Sequence, residues 1–181
     1  EKLIVPPFAA RQGDLAAQAG NSDPFIELDN RWGTHIVGHW RQKNRFKFNF
    51  GYYNNNADPK IVKEGQYTWS TEFVHLGLKY KLNKQMEIIG QYMQGSTYMQ
   101  SPYGDKVVDN DFQSAFIMLR KFWQNHHVAL RVEEFSVNDF DQTLGDNNNE
   151  YGKGVTVSYR FKLATGSYIQ AEYNWINSTR P

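Results

Sequence analysis

The feature that most restricts what this chain can fold into is an alternation of period two. From Arg45 the sequence runs Phe46, Lys47, Phe48, Asn49, Phe50, Gly51, Tyr52, with a ring at every second position and polar or small residues between. Successive side chains of a strand point to opposite faces, so this is a ribbon with two unlike surfaces. The pattern returns in Val155 to Leu163, where an apolar face opposes Thr, Ser, Arg and Lys, and again in Ile169 to Trp175. Val74, Leu76, Leu78, Tyr80 and Leu82 make another apolar face, and Val128, Leu130 and Val132 oppose Ala129, Arg131 and Glu133. Thr34 to Gln42, Met86 to Tyr98 and Asp111 to Trp123 complete a set of about eight strands. At Phe116 to Leu119 both faces are apolar, and a short helix stays open there. Ala9 to Gly20 allows one helical turn or a loop. The expectation is an all-β chain, with a loop or irregular segment over residues 1–33 and strands over 34–181.

The connections alternate in length. Lys43-Asn44, Asn83 to Gln85, Gln124-Asn125 and Ala164 to Ser167 are short, whereas Asn54 to Gln66, Met99 to Asn110 and Asp139 to Glu150 are long. Long structureless loops are uncommon in compact domains. Regular short-long alternation is the plan of an antiparallel transmembrane β-barrel, or a segment of one, with short periplasmic turns and long external loops. The ends also differ in charge. The long loops hold Asp58, Glu64, Asp105, Asp109, Asp139, Asp141, Asp146 and Glu150 against Lys60, Lys63 and Lys106. The short-turn end gathers Lys43, Arg45, Lys81, Lys84, Lys121 and Lys162. An acidic rim suits divalent bridges to lipopolysaccharide, and it equally suits ordinary polar loops.

A chain with 15% aromatic residues and a mean hydropathy of −0.70 must hide its rings or place them where amphipathic rings are tolerated. Tyr52, Tyr53, Trp69, Tyr98, Phe112, Phe135, Tyr151 and Trp175 fall near the long loops. Trp40, Phe46, Tyr80, Phe122, Trp123, Phe161 and Tyr168 fall near the short turns. Two girdles of rings fit the headgroup levels of a bilayer, whereas a soluble sandwich has no reason to sort its rings by height. On this reading Phe48, Phe50, Leu76, Leu78, Leu130, Val157 and Tyr173 meet lipid. His75, Lys79, Arg131, Glu133, Arg160, Lys162 and Glu172 line the interior, beside Ser158, Gln170 and Asn174. Buried charges without partners would be costly, so that interior needs water or ion pairs.

The charge balance of 20 Lys+Arg against 19 Asp+Glu gives no uniformly basic field, and no nucleic-acid partner is expected. The absence of cysteine removes disulfides, thiolate zinc sites and cysteine nucleophiles. No run of about 18 apolar residues offers a transmembrane helix. Glu1 to Pro7 is too short and proline-broken for a signal peptide, so in an exported protein the signal has been removed. With the first short turn at Lys43-Asn44, an even strand count puts both termini at the long-loop end, and no terminal aromatic strand follows Arg180-Pro181. A further strand at Pro24 to Asp29 would change the count; the alternative, which we favour, is the middle of a larger barrel.

Several strands carry a resemblance. Thr71-Glu72-Phe73, Gln91 to Thr97, Leu130 to Val137, Asp146 to Gly152 and Ala171-Glu172-Tyr173 resemble porin-like outer-membrane proteins of proteobacteria, distantly similar to phosphate-selective porins. The similarity spans about Phe25 to Pro181. It implies a Gram-negative outer-membrane location, a barrel of roughly sixteen strands and an aqueous lumen. It implies no particular solute.

Other chemistries have less support in the residues. Asp139, Asp141 and Asp146 with Asn147 to Asn149 offer oxygen ligands to a divalent cation, without the spacing of an EF-hand; turn-forming Asn in a solvated loop explains them better. His126 and His127 point to opposite faces of a strand and cannot chelate one ion. His75 with Ser70 or Ser96 would make a lipase-like dyad, but no orienting third residue stands at a recognisable spacing. Arg131, Arg160, Lys79 and Lys162 either select anions or are neutralised by Glu133 and Glu172 on neighbouring strands, and no excess of unpaired cations is evident. The expectation is therefore a non-enzymatic channel, without cofactor, for small hydrophilic solutes. A soluble or surface β-protein gripping carbohydrate with exposed aromatics is the alternative, and an outer-membrane hydrolase the third reading.

Overall fold

The computed structural model describes residues 3–4, 21–23, 26–43, 45–141 and 147–180. Twelve strands and no helix occur among them. β1 (Leu3–Ile4) pairs with β2 (Asn21–Ser22). The main sheet contains β3 (Thr34–Gln42) and β4 (Phe46–Asn54), then, after the small hairpin β5 (Val62–Lys63) and β6 (Gln66–Tyr67), the strands β7 (Ser70–Lys81), β8 (Met86–Gln100), β9 (Lys106–Trp123), β10 (His126–Asp139), β11 (Glu150–Ala164) and β12 (Ser167–Thr179). These eight form one antiparallel meander in the order β3-β4-β7-β8-β9-β10-β11-β12. The sheet is open: β3 and β12 are its edges, not paired to each other, and every residue of both is exposed.

The all-β expectation holds, and Phe116 to Leu119 lie inside β9 rather than in a helix. Ala9 to Gly20 lies outside the described residues, as do Pro24 and Phe25. Ile26 to Asp29 carries no strand. The short turns are tight because backbone hydrogen bonds and left-handed residues close them. Arg45 N–H donates to the Gln42 carbonyl at 2.9 Å, and Lys43 (φ 40°), Gln124 (φ 49°) and Gly166 (φ 83°) supply the reversed twist.

Two of the long connections are more ordered than their polarity suggested. β8 runs to Gln100 and β9 starts at Lys106, so the expected loop from Met99 to Asn110 shrinks to residues 101–105. Asp109, Asn110 and Asp111 pair in the ladder with Tyr98, Thr97 and Ser96. Beyond an apolar belt a strand needs only its backbone bonds, so polar composition there says little about structure. Residues 55–66 fold back through the β5–β6 hairpin. Its Tyr67 joins Met99, Val107 and Val108 in a small cluster against which Val62 packs. These four are the buried hydrophobic residues among those described. The dry core therefore sits at the long-loop end, and the broad sheet has none.

Candidate functional site

The ladders sort the sheet into two continuous faces. One row of directly paired residues reads Phe46, Tyr80, Ile88, Leu119, Leu130, Val157, Tyr173 from β4 to β12. The neighbouring row, one residue along each strand, reads Lys47, Lys79, Ile89, Met118, Arg131, Thr156, Asn174. By the same pairings His75, Lys79, Arg131, Glu133, Arg160, Lys162 and Glu172 all share the second, polar face.

Burial is inverted relative to a soluble sheet. On the apolar face Ile117 is 61% exposed, Leu130 46%, Val157 43% and Tyr173 69%. On the polar face of β9 the residues from Asn110 to Phe122 are half-buried throughout. The glycines explain why. A Cβ at Gly51 would overlap the His75 ring, one at Gly77 the Asn49 amide and one at Gly152 the Phe135 ring, all on the polar face. At Gly38 on the apolar face nothing lies within 4 Å. A sheet curled toward one side crowds that side and spreads the other, so the polar face is the concave one.

The apolar belt does not follow the ladder rows. The row beginning Phe50, Leu76, Tyr92 ends in Glu134, Lys153 and Asn177. The belt's long-loop boundary lies at Tyr52 on β4 but at Trp175 on β12, in the row of Phe48, a descent of four residues over six strand steps. At about 3.3 Å per residue and 4.8 Å per strand, this is a tilt of roughly 25°. A flat slab cutting tilted strands produces such a descent.

On the concave face the ionic side chains are partly satisfied. Glu87, with a side chain only 7% exposed, accepts from Lys79 at 2.8 Å and from Arg120 at 2.9 Å. Arg120 lies 4.9 Å from the Phe122 ring and Arg131 4.2 Å from the Phe116 ring. Arg131 pairs with Glu133, a residue of its own strand, and Arg160 Nε donates to Gln170 at 2.9 Å. The expected ladder of Arg131 and Arg160 against Glu133 and Glu172 on neighbouring strands is therefore corrected, because direct pairing opposes Gly154 to Glu133 and Ser158 to Glu172. The expectation of no cation excess also fails. Lys47 and Lys81, which alternation already put on this face, are joined there through the register by Arg41 and Arg120, and the face's only carboxylates within the belt, among the described residues, are Glu87, Glu133 and Glu172. Face membership of Arg41 and Glu87 required the pairing, because the alternation of β3 and β8 is weak.

The girdles need a correction too. Trp40, Phe46, Tyr80, Trp123, Phe161, Tyr52, Tyr98, Tyr151 and Trp175 are on the apolar face, but Tyr53, Phe112, Phe135, Phe122 and Tyr168 are on the polar face, where Phe73 stacks on Tyr53, Arg120 and His127 meet Phe122, Arg160 lies over Tyr168, and the Phe112 and Phe135 rings sit against Gly95 and Gly152. Height along a strand does not reveal which way a ring points; parity does. His126 stacks on Trp123 and bonds Tyr159 Oη at 2.7 Å, while His127 meets Phe122 on the opposite face. Ser70 and Ser96 stand on the apolar face, opposite to His75, so the His-Ser dyad is not assembled. Asp139 uses its carboxylate to accept the backbone N–H of Asp141 at 3.1 Å and of Asn148 at 2.7 Å, a loop-closing role. Asp146 lies outside the described residues. Among those described, no group of three or more His, Asp or Glu is placed to hold a metal ion. No protein-family model matches the chain, and no curated protein matches it.

Proposed function

We propose that this sheet is a wall of a porin-like antiparallel β-barrel in the outer membrane of a Gram-negative bacterium. Its apolar face meets acyl chains, and its polar face lines an aqueous lumen through which small hydrophilic solutes and ions diffuse without a cofactor. The observation that carries the reading is the inverted burial: exposed Val, Leu, Ile and Tyr on the convex side, crowded charges on the concave side. Contiguous apolar patches of such extent are rare on soluble monomers. The tilted belt adds, at its long-loop end, the boundary that a flat slab would cut across tilted strands. The acidic long loops face outward, where divalent ions bridge them to lipopolysaccharide, and the short turns face the periplasm.

Both sheet edges are long and lack proline, so they call for further strands, and the closed barrel exceeds these eight. Arg41, Lys47, Lys81 and Lys162 make no ion pair among the described residues, so the lumen is wet. Their surplus over Glu87, Glu133 and Glu172 favours anions over cations of similar size. In planar bilayers the expected result is stepwise ohmic conductance, with a reversal potential in a KCl gradient shifted toward that of chloride. A protein monodisperse in detergent-free buffer that forms no conducting steps contradicts the reading.

A further inference from the structure

At the short-turn end of the apolar face lies a hollow of about 400 Å³, lined by Trp40, Phe46 and Tyr80 together with Gln42, Lys43 and Arg45. The Trp40 and Phe46 rings meet edge to face with centroids 5.2 Å apart, and the Arg45 guanidinium stands 5.4 Å from the centre of the Tyr80 ring. Arg45 Nε donates to the Lys81 carbonyl at 3.4 Å, which leaves its terminal N–H groups for another acceptor. Neither Lys43 nor Arg45 makes an ion pair among the described residues. None of the short turns contains a carboxylate. The acid that begins β8, Glu87, is on the other face and is already occupied by Lys79 and Arg120.

The hollow thus joins two unmet needs. Two cations lack a counter-ion, and a run of apolar surface begins directly beside them. Trp40 pairs with Phe48, which pairs with Leu78, and these two are 36% and 37% exposed. A soluble phosphate would meet the cations and leave the run bare. A zwitterionic lipid would cover the run but bring its own cation to Lys43 and Arg45. We propose that this hollow is a headgroup site for an anionic glycerophospholipid, its phosphate between Lys43 and Arg45 and its acyl chain along Phe48 and Leu78. The site rests on the barrel reading, because only a sheet in a bilayer offers it an acyl chain.

The chain has five tryptophans, so a variant that keeps Trp40 and carries Phe at Trp32, Trp69, Trp123 and Trp175 reports on the hollow alone. In uncharged detergent micelles doped with brominated phosphatidylglycerol, Trp40 emission should be quenched at a mole fraction ~10-fold below that needed of brominated phosphatidylcholine. Lys43→Gln with Arg45→Gln should erase that preference while leaving the strand signal in circular dichroism unchanged. The lipid retained by the unsubstituted protein in native mass spectrometry gives the same comparison without the tryptophan changes. Equal quenching by both lipids overturns the site and leaves the barrel standing. No quenching by either overturns both. Loss of the preference on adding millimolar inorganic phosphate at constant ionic strength shows a free-anion site and overturns the lipid assignment.

Discussion

Leu130 and Arg131 are neighbours in β10 and, on this account, live in different solvents. Arg at Leu130 or Val157 should cost about 2 to 4 kcal/mol at the bilayer midplane. Arg at Ser158, one residue from Val157 but on the concave face, should leave the unfolding midpoint nearly unchanged and increase chloride preference. Denaturant titration in vesicles reads the first, and reversal potentials read the second. The glycines give a contrast that does not depend on lipid. A Cβ at Gly95 would overlap the Glu72 backbone carbonyl, which cannot swing away, so Gly95→Ala should destabilise by about 1 to 3 kcal/mol. Gly38→Ala meets nothing and should be neutral or slightly stabilising. Side-chain direction was legible wherever alternation is strong, as at Arg131, Glu133, Arg160 and Lys162. The partners were not, because pairing along a strand or across it depends on a register that no residue spacing reveals.

β7, β8 and β9 are locked together on the concave side by Glu87, which holds Lys79 and Arg120 at once. Glu87→Ala leaves two cations facing each other and should cost about 2 kcal/mol, less than a fully buried pair because each cation is about a third exposed. Thermal unfolding in detergent reads that cost, and Lys79→Met in the same chain should recover part of it. At the far end, Arg180 bonds Glu150 and ties the end of β12 to the start of β11. The Arg180 guanidinium, and after it Ser178, hold the Glu150 carboxyl below its ordinary range. A carboxylate lowered on folding contributes above its unfolded pKa and ceases to contribute as pH falls through the lower folded value. Amide exchange at the end of β12 should therefore stay flat through neutral pH and rise in acid, after correction for intrinsic rates. Arg180→Ala should weaken that pH dependence, leaving the smaller part due to Ser178. Strand existence was legible from period two, but the length of β9 was not. Lys106 to Asn110 looks like a loop because Val107 and Val108 are adjacent, without alternation, among Lys106, Asp109 and Asn110, and only its partners in β8 show that it is strand.

At the scale of the whole molecule the notable fact is where dryness is missing. A sheet of eight long strands has its enclosed hydrophobic cluster at Tyr67, Met99, Val107 and Val108, away from the belt of Phe48, Leu78, Leu130 and Val157. The all-β class and the two-faced character were legible because they follow from local alternation. Curvature and tilt were not, because both arise from how rows shift between strands. The absence of cysteine makes the central claim directly testable by single-cysteine spin labels placed one at a time from Val128 to Phe135 and from Val155 to Phe161 in vesicles. The account expects collision rates with dissolved oxygen to peak at Val128, Leu130, Val132, Val155, Val157 and Tyr159, and those with a water-soluble nickel chelate to peak at the residues between. Apolar positions shielded from both reagents would place them in a dry protein interior and contradict it.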